Sequence, residues 1–152
     1  MKFEYLVDHQ KYVPIVAEWF HLEWSHLNPN RSKEDVINKI HSHFNKQILP
    51  IIFIGIDKDE LIGTVSLRKF EMENHENLFP WLSSLYVPTN KRKQGIGEYM
   101  VDQCLKKSKS LGESKIYLFT ENHEHWYKKM GWKTIQQIMH RGYPAHIMQF
   151  DL

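Results

Sequence analysis

Residues 85–98 read Leu85-Tyr86-Val87-Pro88-Thr89-Asn90-Lys91-Arg92-Lys93-Gln94-Gly95-Ile96-Gly97-Glu98. An apolar, strand-like run stops at Pro88. A basic turn follows, and two glycines one residue apart open a helical stretch. A turn of this kind binds anions. The first N–H groups of a helix have no internal partner, and the positive end of the dipole favours phosphate. Glycines carry no Cβ, so the backbone can approach a pyrophosphate closely. Lys91, Arg92 and Lys93 add charge at the same place. A P-loop would need Gly-x4-Gly-Lys-Ser/Thr, which is absent. A dinucleotide fingerprint would need a third glycine where Met100 stands. What is left is Arg92-x-x-Gly95-x-Gly97. Taken alone, that short pattern also reads as a plain glycine turn with exposed lysines.

Other residues with chemical potential are fewer. Ile15, Val16, Trp19, Phe20 and Leu27 form one face of a helical projection, and Glu23 falls near its middle. A carboxylate on an apolar stripe must be paired, protonated or functional. Glu23 could draw in an ammonium group or relay its proton, or it could be a salt-bridged glutamate at the edge of the stripe. Cys104, the single cysteine, falls in an apolar row with Met100 and reads as a packed thiol. Ten histidines are scattered without a His-Glu-x-x-His motif, so no metal site is expected and solvated surface histidines are.

The elements that must position these residues follow from periodicity. The chain has 152 residues, enough for one core, and its 41% hydrophobic and 25% charged content is ordinary for a globular domain. A net charge of +2 speaks against nucleic acid as a partner. No secretory signal or run of membrane-span length is present, so a cytoplasmic protein without membrane contact is expected. Residues 2–7 alternate as a strand, and 11–27 have helical period with Pro14 in the first turn. Ser32-x-x-Asp35 has the form of a capping box opening a second helix. Residues 49–57 and 61–70 read as a hairpin, 71–79 as a polar connection, 81–87 as a strand and 98–111 as a helix stopped by Gly112. A strand at 115–120, a short helix at 123–130 and strands at 132–139 and 146–150 complete the order β-α-α-β-β-β-α-β-α-β-β. The expected fold is therefore α/β of the α+β kind, one domain over 1–152, with helices flanking a mixed, mostly antiparallel sheet.

With that order, the sequence resembles the GNAT superfamily of N-acetyltransferases, most strongly over 81–132. The family's Arg/Gln-x-x-Gly-x-Gly/Ala loop matches Arg92 to Gly97. Its preceding hydrophobic-x-Val strand matches Leu85-Tyr86-Val87. Its Tyr-x-x-hydrophobic-Gly-aromatic motif matches Tyr127-Lys128-Lys129-Met130-Gly131-Trp132. The resemblance implies acetyl-CoA as co-substrate, its pyrophosphate on the backbone from Arg92, Lys93, Gln94 and Gly95 to Ile96, Gly97 and Glu98, and its pantetheine arm paired with 85–87. It implies a backbone N–H near Val87 that polarises the thioester carbonyl. It also implies Tyr127 as the acid that protonates the departing sulfur; without the resemblance, Tyr127 reads as a core tyrosine packed on Met130. One departure is visible. Many members carry asparagine seven residues before the tyrosine. Here that position is Thr120, and Asn122 stands five before.

The implied reaction is direct transfer of an acetyl group to a primary amine of a small molecule or peptide in a ternary complex. A non-catalytic CoA-binding sensor and an acyltransferase using another acyl-CoA are the alternatives. No carboxylate lies on residues 80–84, so the base must come from elsewhere, with Glu23 a candidate. Trp24, Trp81 and Ser83 complete the expected acceptor site, whose tryptophans and carboxylate would suit a cation. A homodimer is left open.

Overall fold

The β-branched runs assemble into one seven-stranded sheet in the computed structural model, which describes residues 1–152. The strands are β1 (Lys2–Tyr5), β2 (Ile51–Asp57), β3 (Glu60–Arg68), β4 (Trp81–Tyr86), β5 (Lys115–Thr120), β6 (Lys133–His140) and β7 (Tyr143–Asp151). The helices are α1 (Val13–Trp24), α2 (Lys33–Ser42), α3 (Ile96–Ser110) and α4 (Glu124–Lys129). The order of elements is the expected one. The sheet runs β1-β2-β3-β4-β5-β7-β6, and only β4 and β5 are parallel neighbours.

Strand β2 shows why the sheet is covered on both faces. Ile51 and Phe53 join Met100, Val101 and Cys104 of α3 in one core. Ile52, Ile54 and Ile56 join Val16, Ala17 and Phe20 of α1 and Val36 and Ile40 of α2 in another. A strand buried on both faces needs apolar residues at every position rather than at every second one. The Ile51–Ile56 run supplies them, with Gly55 leaving room for Met100.

Local signals hold at several ends. Ser32 caps α2: its hydroxyl accepts from the Asp35 N–H at 3.1 Å, and Asp35 accepts from the Ser32 N–H at 2.9 Å. Replacing such a cap with alanine costs about 1 kcal/mol. Other boundaries move. The expected helix over 11–27 is a shorter α1 flanked by 3-10 turns at Gln10–Tyr12 and Ser25–Leu27. The first strand stops at Tyr5, where a 3-10 turn begins, and the last strand starts at Tyr143 straight after the Arg141-Gly142 turn. Ile15, placed on the buried face of the first helix by projection, is 44% exposed, whereas Ala17 is buried. No helix is long and apolar enough to cross a membrane.

The feature that shapes the site is the seam between β4 and β5. The two strands share a single paired position, Trp81 with Tyr117, and then separate. Across the other edge of β4, Thr64 faces Tyr86 and Ser66 faces Ser83, so Ser84 and Leu85 together oppose Val65 alone. This is a β-bulge, and it bends β4 away from its neighbour. Ser84 takes the left-handed conformation, with φ of 53°, to make it.

Candidate active site

A cleft of about 280 Å³ opens along the seam. Ser83, Ser84 and Leu85 of β4 form one wall and Leu118, Phe119 and Thr120 of β5 the other. At the end of β4 lies the start of α3. Gly95 stands at its N-cap with φ of 78°, a conformation that favours glycine, and nothing lies within 4 Å of where a Cβ would be. No side chain caps this helix. The first backbone bond is donated by Tyr99 to Gly95, so the N–H groups of Ile96, Gly97 and Glu98 are free of intrahelical partners. An open cradle of free amides at a helix N-terminus fits a pyrophosphate.

The side chains around this cradle mostly serve to hold it. Arg92 donates from Nε to the Val87 carbonyl at 2.8 Å and lies over the Tyr86 ring. Lys91 pairs with Glu60 at 2.9 Å. Of the three basic residues only Lys93, in a left-handed conformation with φ of 61°, stands exposed without such a tie. Gln94 is also exposed, and Ile96 points into the core, leaving only its backbone for a ligand. A Cβ on Gly97 would lie 3.1 Å from the Trp126 ring, so this glycine lets α4 approach α3. Glu98 accepts from Trp126 Nε1 at 3.1 Å and fixes that approach. Leu85 lines the cleft, while Tyr86 packs on Trp19 at 5.0 Å.

Tyr127 reaches the cleft from α4. Its ring is held edge-on by Trp126 at 4.8 Å and Trp132 at 5.9 Å. Gly131, with φ of 100°, turns the chain so that the Trp132 N–H donates back to the Tyr127 carbonyl at 3.2 Å. The Tyr-x-x-Met-Gly-Trp spacing is thus a helix end that locks one phenol in place. Burial pushes that phenol well above the usual tyrosine range, so it stays protonated at neutral pH. Asn122 lies on the cleft wall. Thr120 has another task, accepting the His123 N–H at 3.0 Å before α4. Cys104 is fully buried among apolar side chains, and burial raises its thiol, so it remains an inert core residue.

The acceptor side differs from expectation. Ser83 and Trp24 line the cleft, but Trp81 does not. Trp81 is fully buried in a separate cluster with Met72, Tyr117 and Ile147, and its indole donates to the Leu78 carbonyl. Glu23 is exposed at the rim, because the buried face of α1 is Val13, Val16, Ala17 and Phe20 and leaves Glu23 at its edge.

The carboxylate that is buried in the cleft is Glu71. It sits just beyond β3, in the segment read as a featureless polar connection. Burial raises its pKa, and Arg68 and the Ser83 hydroxyl partly oppose that rise. Arg68 Nη1 lies 2.9 Å from Oε2, yet no donor is aligned on that oxygen, so the contact is an ion pair rather than a directed hydrogen bond. Arg31, Lys39, His43, His140 and Arg141 share the same cleft. The histidines are therefore not all surface groups: burial, then Arg68 and Lys39, push His43 down to about 4. No group of three or more His, Cys, Asp or Glu converges as a metal site requires.

With a splayed pair of parallel strands, a glycine-led helix start and a tyrosine fixed between them, the comparisons with known proteins fall into place. The sequence model of the Acetyltransferase (GNAT) family matches residues 14–132, and the chain belongs to that family. No curated protein matches it significantly. Among solved structures, an aminoglycoside 6'-acetyltransferase type Ii is 22% identical with a TM-score of 0.76, covering 99% of this chain and 97% of the other. An aminoglycoside 6'-N-acetyltransferase complexed with coenzyme A is 19% identical with a TM-score of 0.72 and the same coverage. A ribosomal-protein-alanine N-acetyltransferase from Brucella melitensis is 12% identical with a TM-score of 0.76, covering 100% of both chains. The shared fold is that of GNAT acetyltransferases, and its relatives serve unlike acceptors, so acceptor chemistry must come from the side chains of the cleft.

Proposed function

We propose that this chain is an acetyl-CoA-dependent N-acetyltransferase, acting as one catalytic domain over 1–152 in the cytoplasm. The observation that carries the reading is the seam itself: β4 and β5 part beside an uncapped helix start, with Tyr127 fixed in the opening. The amides of α3 hold the pyrophosphate. The bulged backbone at Ser84 and Leu85 offers polar groups to the pantetheine arm.

Glu71 takes a proton from the acceptor's ammonium, for which its raised pKa suits it. The neutral amine forms the new N–C bond at the thioester carbonyl, the C–S bond breaks, and Tyr127 gives its phenolic proton to the sulfur. Cys104, the single cysteine, is buried and does not line the cleft, which favours direct transfer over an acetyl-cysteine intermediate. The test is thiol release from acetyl-CoA across a panel of primary amines. Turnover that depends on an amine supports the reading, and acetyl-CoA failing to bind the protein overturns it.

A further inference from the structure

The acceptor end of the cleft is built around positive charge. Arg31 comes from the α1–α2 connection, Lys39 from α2, Arg68 from the end of β3 and Arg141 from the β6–β7 turn. They lie close enough that Arg68 and Arg141 each repel Arg31 and Lys39. Two of the four are accounted for within the protein. Arg68 pairs with Glu71, and Arg141 donates to the Leu27 carbonyl at 3.2 Å and to Asn28 Oδ1.

Arg31 and Lys39 have no ion-pair partner. The Arg31 Nε is buried and without any acceptor. Asp35, the carboxylate whose charge reaches it, is occupied by the Ser32 cap. The other acidic residues of the cleft do not answer this charge: Glu121 is paired with His26 at 3.0 Å, and Glu23 is exposed at the rim. Lys39 is exposed at the cleft and contributes charge to it, whereas the Arg31 Nε is buried, and a buried polar atom without a partner calls for one from outside the chain. The planar guanidinium fork is the group best matched to an oxyanion.

We infer that the acceptor amine carries its own oxyanion, a carboxylate or phosphonate, which Arg31 and Lys39 bind while Glu71 takes the ammonium end. This rests on the acetyltransferase reading and narrows it to amino-acid-like acceptors. It also reverses the expectation of a cationic acceptor drawn from the tryptophans. A polycationic aminoglycoside, although it names several structural relatives, would meet the unpaired Arg31 and Lys39 here.

The test uses the full chain saturated with acetyl-CoA and matched pairs: alanine against alaninamide, γ-aminobutyrate against butylamine and 1,3-diaminopropane, aminomethylphosphonate against methylamine, and kanamycin as a polycation. The anionic members should exceed their neutral or cationic partners in kcat/KM by roughly tenfold or more, the worth of a charged hydrogen bond. Arg31→Gln and, as a second variant from another element, Lys39→Gln should reduce that ratio towards one while leaving acetyl-CoA affinity unchanged. The carboxylate and phosphonate arms show which oxyanion is preferred. Neutral or cationic amines matching the anionic ones, or a ratio indifferent to both variants, overturns the inference while leaving the acetyltransferase reading intact. If no pair turns over, the same compounds are titrated against the CoA-saturated protein, and binding without preference for the oxyanion likewise overturns it. Wild-type protein that fails to bind acetyl-CoA overturns the broader reading instead.

Discussion

The two ends of the cleft are made of different material. The end proposed for the cofactor is backbone: free amides of α3, a left-handed Gly95 and a bulge at Ser84 and Leu85. Its side chains, Arg92 and Glu98 among them, mainly brace that backbone. The acceptor end is side chain: Arg31, Lys39, Arg68, Glu71, Ser83 and Arg141, drawn from segments far apart in the chain. A backbone site serves a fixed ligand by shape, whereas a side-chain site can be rewritten one residue at a time without touching the fold. A family that keeps one donor and varies its acceptor would be expected to divide labour in this way.

The comparison breaks most visibly if the two ends do not respond separately. Gly95→Val should have the largest effect. It forces a β-branched residue to φ of 78°, a strain on the order of 1–3 kcal/mol, and fills the open cradle. Acetyl-CoA binding by calorimetry should be lost while the thermal melt stays cooperative. Retained binding would remove the loop as the phosphate site. Tyr127→Phe should come next, lowering kcat by about a hundredfold with acetyl-CoA affinity nearly intact, in the usual range for a general acid. An unchanged kcat would remove Tyr127 from the chemistry.

Glu71→Gln should act on the acceptor end alone. Its loss should lower kcat/KM for the amine at neutral pH by roughly ten- to a hundredfold, with no change in acetyl-CoA affinity. In the wild type, kcat/KM should fall as pH drops through the raised pKa of Glu71, and that acid limb should vanish in the variant. A persisting limb would point to a different base. Glu23→Gln should leave the profile unaltered, since Glu23 stands exposed at the rim.

The smallest effect concerns stability. The His43 ring, pushed down to about 4 by burial and its cationic neighbours, favours the neutral form in the folded state. Its contribution is present above the unfolded value near pH 6.5 and is lost as pH falls towards 4. Urea midpoints measured from pH 7 to 4 should drop less steeply in His43→Phe than in the wild type. An equal slope would mean that His43 is freely protonated and that the acceptor end is less positive than described.

The same division explains what could be read in the sequence. The order of elements was visible because periodicity and caps such as Ser32-x-x-Asp35 are local. The uncapped, glycine-led start of α3 is legible because such a turn needs glycines at set spacings within one short segment. The acceptor site offered no such signal. Arg31 and Arg141 are separated by most of the chain, and each alone is an ordinary surface arginine. Glu71 sits in a run of polar residues with no period. Projection of the first helix puts Glu23 near the middle of a face that includes Ile15; the face that is buried is Val13, Val16, Ala17 and Phe20, which leaves Ile15 outside and Glu23 at its edge. Trp81 was drawn into the site by its place on β4, yet the alternation of that strand sends it to the Met72 cluster while Leu82 joins the main core.

The seam between β4 and β5 also sets how the molecule is held together mechanically. Five of the six strand junctions are ladders of several paired residues; this one has a single rung, Trp81 with Tyr117. The sheet is in effect two panels, β1–β4 and β5–β7, clamped by side chains of the core that Leu82, Leu118 and α3 share. A donor threaded along the seam, as proposed, would replace the missing rungs. Donor binding should therefore slow amide exchange on the facing edges of β4 and β5 and leave the outer strands β1 and β6 as they were.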